Sequence, residues 1–103
     1  MEKNQFNSNG FREGYWEVYY DNGKLSYKGN YINGKKDGYW EYYNGKLRSK
    51  GHFKKNEAEG YWEYYNDNGN LYSKGTYKNG DEIGYWEWYW GNGKLRRKIY
   101  FVD

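Results

Sequence analysis

Four glutamates, Glu17, Glu41, Glu63 and Glu87, each close the phrase Gly-Tyr-Trp-Glu, which recurs at intervals of 24, 22 and 24 residues. Carboxylates at fixed spacing are raw material for general acid–base catalysis, provided that one is poised near neutral pH. Here each faces a lysine in the strand pairing derived below, and an opposite charge favours the ionised form instead. His52 is the single histidine and cysteine is absent. A thiolate metal site, a second imidazole ligand and a cysteine–histidine pair are therefore excluded. No serine lies in a nucleophile-elbow pattern, and no glycine-rich loop opens a helix to hold phosphate. Lys94, Arg96, Arg97 and Lys98 form the densest basic run, opposite Trp88, Tyr89 and Trp90. Charge interleaved with rings suits single-stranded nucleic acid, but a net charge of only +3 argues against a dedicated binder. The chain is expected to be non-enzymatic and to need no cofactor.

The elements that position these residues follow from turn signals. Asn22-Gly23, Asn44-Gly45, Asn68-Gly69 and Asn92-Gly93 lie within the repeats, while Asn9-Gly10, Asn33-Gly34, Lys55-Asn56 and Asn79-Gly80 lie between them. Asn-Gly between alternating segments is the strongest short hairpin signal. Asn also tolerates the left-handed backbone that glycine supplies, so Lys55-Asn56 should still turn. Two turns per repeat mean two strands per repeat and about eight strands in all. The predicted fold is all-β: an antiparallel β-hairpin repeat array, a meander forming one elongated, twisted, single-layer sheet. Residues 1–13 read as a lead-in, followed by repeats 14–37, 38–59, 60–83 and 84–103. No helical periodicity competes with this.

Register follows from the turns. With Asn22-Gly23 as the central pair, Asp21 faces Lys24, Glu17 faces Lys28 and Trp16 faces Gly29. The third repeat gives Trp62 opposite Gly75 and Glu63 opposite Lys74. The fourth gives Trp86 opposite Ile99 and Glu87 opposite Lys98. The second repeat is shorter and keeps Trp40 opposite Gly51 if Gly45-Lys46 is central. An indole over a facing strand glycine covers exposed backbone. One face then collects Trp16, Trp40, Trp62 and Trp86 with Val18, Tyr20, Leu25, Tyr27, Tyr31, Tyr42, Tyr64, Trp88, Leu47 and Phe53. The other carries Tyr15, Glu17, Tyr19, Ser26 and Lys28, a tyrosine surface stitched by Glu–Lys pairs.

Composition agrees. Aromatics make up 25% of the 103 residues, with 16 Tyr, 6 Trp and 4 Phe, against only 36% hydrophobic residues overall. Disordered chains are poor in rings, so this chain folds with rings as its apolar material. The sequence has no apolar run long enough to span a membrane. Met1-Glu2-Lys3-Asn4-Gln5 is polar and shows no leader, which favours the cytoplasm unless a leader has been removed.

The succession Gly-Tyr-Trp-Glu-x-Tyr-Tyr, Asn-Gly-Lys-Leu, Lys-Gly-x-Tyr and Asn-Gly-Lys-Lys-Asp-Gly resembles the bacterial variant of the MORN repeat across residues 9 to 103. The resemblance implies a β-hairpin array. It also implies either an antitoxin or immunity component of a toxin–antitoxin pair, or a scaffold. Choline-binding cell-wall repeats, which mix Trp, Tyr and Gly at a similar period, supply the alternative: a small ligand held in aromatic cages. The expected protein-binding face is Trp16, Trp40, Trp62, Trp86, Tyr42, Tyr64 and Trp88, with the bland role of core for the indoles beside it. The final strand, Ile99, Tyr100, Phe101 and Val102, is either a cap or an open edge that pairs two copies into a homodimer.

Overall fold

The structure, a computed structural model, describes residues 2–103. Its strands are β1 (Gln5–Phe6), β2 (Arg12–Tyr19), β3 (Leu25–Ile32), β4 (Lys35–Asn44), β5 (Lys46–Lys54), β6 (Glu57–Tyr65), β7 (Leu71–Lys78), β8 (Asp81–Tyr89) and β9 (Leu95–Phe101). They form one open sheet in chain order, and each strand pairs antiparallel with the next. The described residues contain no helix. The hairpin array expected from the turn signals is what the chain forms. It has nine strands, because the two residues of β1 add a short strand ahead of the first hairpin.

The sheet uses two main kinds of turn. Asn9-Gly10 is not of the kind found at Asn33-Gly34: the Asn7 N–H donates to the Phe11 carbonyl (2.8 Å) and the Gly10 N–H to the Asn7 carbonyl (3.0 Å) around a three-residue loop. At one end Asn33-Gly34, Lys55-Asn56 and Asn79-Gly80 each link two paired strands with both residues at positive φ, from 50° to 85°. That is the primed turn whose twist matches the strands it joins. Lys55 holds φ 50° with no help from its side-chain type. A left-handed residue with a β-carbon costs ~1–2 kcal/mol, of which glycine's own entropy returns only part. Lys55→Gly should therefore raise unfolding stability by about 0.5 kcal/mol, read by urea titration.

At the other end three of the loops are one residue longer than a two-residue turn. The Tyr20 N–H donates to the Lys24 carbonyl (2.8 Å) and the Gly23 N–H to the Tyr20 carbonyl (2.9 Å), enclosing Asp21, Asn22 and Gly23. Asn66 with Asn70 and Trp90 with Lys94 repeat the pattern. Asp21 therefore does not face Lys24. The offset is undone within the hairpin, where the pairs Tyr19↔Leu25 and Val18↔Tyr27 leave Ser26 bulged. Tyr72 and Arg96 are skipped in the same way. Beyond the bulge the expected pairs hold: Trp16↔Gly29, Glu17↔Lys28, Trp62↔Gly75, Glu63↔Lys74, Trp86↔Ile99 and Glu87↔Lys98. In the short second repeat Asn44 pairs with Lys46 around Gly45, so Gly45-Lys46 is not the central pair, yet Trp40↔Gly51 is preserved by a skip at Arg48.

A second bulge organises the core. Lys28 pairs with Glu41 and Asn30 with Asp37, so Gly29 alone stands against Gly38, Tyr39 and Trp40. Gly38 takes up the extra length at φ +81°, and Gly14, Gly60 and Gly84 share that left-handed backbone. Glycine inside a strand commonly marks such a bulge. The excursion carries each tryptophan over the glycine of the preceding repeat. A β-carbon at Gly29 would fall inside the Trp40 indole, one at Gly51 inside Trp62, and one at Gly75 inside Trp86. The seat of each indole is thus the glycine of the neighbouring repeat, not the glycine it faces within its own hairpin.

Two further contacts lock each indole. The Trp40 Nε1–H donates to the Asn30 carbonyl (3.1 Å), Trp62 to His52 (3.0 Å) and Trp86 to Thr76 (3.1 Å). An edge-on ring closes each seat: Tyr31 on Trp40, Phe53 on Trp62 and Tyr77 on Trp86, with centroids 4.9–5.0 Å apart. T-shaped pairs add to area burial because ring edge and ring face carry opposite charge. Trp16 has the same arrangement, with its Nε1–H on the Gln5 carbonyl (3.1 Å) and Phe6 edge-on at 5.1 Å. Lys3-Asn4-Gln5-Phe6 therefore plays the part of Lys28-Gly29-Asn30-Tyr31 and serves as a half-repeat under the first indole.

Candidate functional site

The sheet presents two chemically different faces. On the tyrosine face, residues two apart in a strand point the same way, so each glutamate lies between two phenols. The Tyr15 and Tyr19 hydroxyls donate to Glu17 (2.8 and 2.6 Å), Tyr39 and Tyr43 to Glu41 (both 2.7 Å), and Tyr61 and Tyr65 to Glu63 (2.8 and 2.6 Å). Glu87 receives one from Tyr89 (2.8 Å), while Tyr85 packs on Tyr100 and under the Lys98 ammonium. Each glutamate also meets a lysine. Lys28 reaches Glu41 of the next repeat (3.3 Å), Lys50 reaches Glu63 (3.5 Å) and Lys74 reaches Glu87 (3.7 Å). Lys3 does the same for Glu17 at 2.6 Å. Among the described residues only Lys98 bridges within its own hairpin, to Glu87 at 3.8 Å. The facing register is as expected, but these ion pairs mostly tie one repeat to the next.

These contacts set the charge states. Hydrogen bonds from Lys3, Tyr19 and Tyr15 hold Glu17 down at about 2. Burial works to raise Glu41 and Glu63, but the paired phenols and a lysine outweigh it and keep both below the usual carboxylate range. Burial first, then the carboxylate it serves, pushes the Tyr15 and Tyr43 phenols up to about 12. Glu17, Glu41 and Glu63 are therefore not suited to general-base work near neutrality.

The pH dependence follows from those signs. Carboxylates with depressed folded values contribute stability that is complete above about pH 5 and is lost as pH falls through the folded values. Phenols with raised values contribute stability that is complete below pH 10.0, their ordinary value, and lost as pH rises further. We expect a midpoint of thermal unfolding that is level from about pH 5 to about pH 10 and falls on both sides. Glu41→Gln should flatten the acid limb, as measured by circular dichroism melts.

On the indole face the four tryptophans are the core. Trp16, Trp40, Trp62 and Trp86 are 7, 0, 3 and 2% exposed. Tyr42, Tyr64 and Trp88 lie beside them, half-buried, with ring centroids 6.0–6.2 Å from Trp40, Trp62 and Trp86. Of the expected binding face, only these three rings offer accessible surface. Two cations rest on this face. The Arg12 guanidinium lies 4.4 Å from the Trp16 ring and donates to the Tyr31 hydroxyl at 3.1 Å. The Lys36 ammonium lies 5.1–5.3 Å from Phe53, Tyr42 and Trp40 and donates to the Tyr42 hydroxyl at 2.7 Å. Sequence reasoning missed both, although each stands two residues before the glycine of a Gly-Tyr-Trp-Glu phrase.

The remaining candidates disperse. His52 packs against Tyr39 at 5.5 Å. In the basic run Arg96 covers Trp90 at 4.7 Å, so part of its charge is engaged by its own chain. At the β9 edge Tyr100 and Val102 are 58% and 83% exposed, while Ile99 and Phe101 are half-buried. No helix of the described residues is long and apolar enough to cross a membrane.

A meander of two-stranded units, in which Trp40, Trp62 and Trp86 each sit on the glycine of the unit before, defines a β-hairpin repeat protein. The chain belongs to the MORN repeat variant family, with four repeats matched at residues 12–33, 36–55, 58–79 and 82–103. The repeat is a non-enzymatic module generally involved in interactions with proteins and membranes. A comparison with curated proteins finds no match.

Proposed function

We propose that this chain is a protein-docking module that works as a scaffold or as the neutralising partner of a toxin. The observation that carries this reading is the amount of aromatic surface left open on a sheet without a second layer. Tyr39, Tyr61, Tyr85, Trp90 and Tyr100 are each 44–62% exposed, and Tyr42, Tyr64 and Trp88 line the accessible part of the indole face. Tyr and Trp dominate the residues whose truncation most weakens protein interfaces. Docking runs along the indole face at Tyr42, Tyr64 and Trp88. The test is affinity capture with the native chain and with a Tyr64→Ala/Trp88→Ala variant that keeps the native circular dichroism spectrum. A partner retained by the native chain and lost by the variant supports the reading, and equal capture by both sinks it.

The open edge of β9 supports a second contact, strand pairing between two copies through Ile99, Tyr100, Phe101 and Val102. Ile99 carries a side chain where the other repeats have a glycine seat, so the pairing strand brings no indole to that position. Sedimentation at increasing concentration should show a monomer–dimer equilibrium that Tyr100→Lys abolishes. A single monomeric species throughout removes this contact.

A further inference from the structure

The second strand of each repeat hands its cations to carboxylates of the repeat that follows. Lys28, Lys50 and Lys74 face Glu41, Glu63 and Glu87 in the next strand and reach them at 3.3–3.7 Å. Arg48, skipped at the bulge of β5, pairs with Asp67 in the loop after β6. β9 repeats these positions. Lys98 stands where β7 has Lys74, and Arg96, skipped at its own bulge, stands where β5 has Arg48. Arg97 adds a third cation where β5 and β7 have Ser49 and Ser73. Among the described residues no strand pairs with the far side of β9. Lys98 turns back to Glu87, which Lys74 already reaches, and among the described residues neither Arg96 nor Arg97 meets a carboxylate. From Trp88 to Arg97 the chain has three cations and no Asp or Glu. Arg96 and Arg97 are exposed and line a cleft of about 180 Å³ with Tyr72 and Trp88. The Trp90 ring, 4.7 Å from the Arg96 guanidinium, holds that group while leaving its in-plane N–H donors free.

We propose that the open edge of β9 takes an acidic, extended segment of a partner protein, paired antiparallel, with its carboxylates on Lys98, Arg97 and Arg96. The molecule's own junctions supply the pattern. One carboxylate faces Lys98 as Glu87 faces Lys74, and the next residue faces Arg97 as Trp88 faces Ser73. A third lies beyond them for Arg96, as Asp67 lies beyond Glu63. The unpaired N–H and C=O groups of an edge strand pair with the backbone of such a segment. The guanidinium forks select carboxylates over neutral side chains. Single-stranded nucleic acid has phosphates for the cations but no backbone that continues a β-ladder, so the open edge favours a polypeptide. The proposal rests on the docking reading for its protein partner but uses the β9 edge instead of the indole face. A second copy of the chain competes for the same edge.

The test is a titration of the 15N-labelled full chain with the peptide acetyl-Thr-Val-Thr-Glu-Glu-Thr-Thr-Asp-Thr-amide. A control peptide carries Gln for Glu and Asn for Asp. We expect saturable amide shifts along β9 with a dissociation constant on the order of 100 µM at low salt. Hydrogen exchange of β9 amides should slow as well, which contact between charges alone does not produce. Arg96→Gln/Arg97→Gln, with a native circular dichroism spectrum, should weaken binding about tenfold, and Lys24→Gln should leave it unchanged. The peptide should convert any dimer to monomer in sedimentation. No saturable binding, equal binding of the control peptide, shifts without slowed exchange, an unchanged affinity in the arginine variant, or a dimer that persists with the peptide bound overturns the proposal. So does tighter binding of an oligothymidylate to the same residues, which assigns the cations to nucleic acid. Capture by the indole face is read with Tyr64→Ala/Trp88→Ala and this edge with Arg96→Gln/Arg97→Gln, so failure of either reading shows separately.

Discussion

Gly51→Ala is expected to destabilise the fold by about 3 kcal/mol or more, an unusually large effect for adding one methyl group. The added carbon would fall inside the indole of Trp62. That indole cannot retreat, because its Nε1–H is bonded to the His52 carbonyl one residue away and Phe53 stands against its face. Relief requires either lifting the ring off the sheet or parting β5 from β6, and both break the junction between two repeats. Gly91→Ala is the control. A β-carbon at Gly91 meets nothing within 4 Å and its φ is not in the left-handed range, so its effect should stay within about 0.5 kcal/mol. Urea unfolding of both variants reads the difference, and similar midpoints for the two would refute the seat. The same geometry explains Ile99. With a side chain in the fourth seat, an indole could not lie over Ile99 as Trp86 lies over Gly75.

Much of this architecture was readable in the sequence because hairpin signals act locally. The glycine of every Asn-Gly pair takes positive φ and reverses the chain, so strand order followed from turn positions alone even where the turn type did not. Alternation placed Tyr15, Glu17 and Tyr19 on one face, which made the Glu–Lys register visible. The details that failed were those in which two local departures cancel. The three-residue loop after Tyr20 shifts the register by one and the bulge at Ser26 shifts it back, so the pair Trp16↔Gly29 emerged from a turn assigned the wrong length. The glycine of Gly-Tyr-Trp-Glu did carry a signal, since a lone glycine in a strand points to a bulge. Its consequence, an indole thrown onto the neighbouring repeat, lies across a strand pair that no turn specifies. Lys3-Asn4-Gln5-Phe6 escaped notice as a half-repeat because Asn4 stands where the repeat has glycine. The cations Arg12 and Lys36 escaped because a lone basic residue on a strand usually reads as solvated edge.

The same displacement makes the repeats interdependent. The indole seat, the edge-on ring and most of the Glu–Lys pairs cross from one repeat into the next, so each hairpin finishes the core of its neighbour. Buried area then accumulates only when repeats stack, as expected of arrays whose units are not stable alone. The exposed parts of Tyr39, Tyr61 and Tyr85, and the accessible edges of Tyr42, Tyr64 and Trp88, remain outside those junctions and are left for a partner.

Trp40→Ala is expected to be the costliest single truncation, about 4–5 kcal/mol, at the upper end for a buried aromatic. Trp40 is 0% exposed and meets Tyr27, Tyr31, Tyr42 and Phe53, whereas Trp16 at 7% leans on the short β1 strand and should cost less. The sharper test couples this truncation to the glycines on either side. Gly29 is the seat of Trp40 and Gly51 is the residue it faces in its own hairpin. If the indole rests on Gly29, then Gly29→Ala is harmful only while the indole is present. The Gly29→Ala/Trp40→Ala pair should then fall short of additivity by about 2–3 kcal/mol. Gly51→Ala clashes with Trp62 instead, so its combination with Trp40→Ala should deviate by much less. Chemical unfolding of the two cycles decides between the seats. Stronger coupling to Gly51 than to Gly29 would return each indole to its own hairpin and make the repeats separable units.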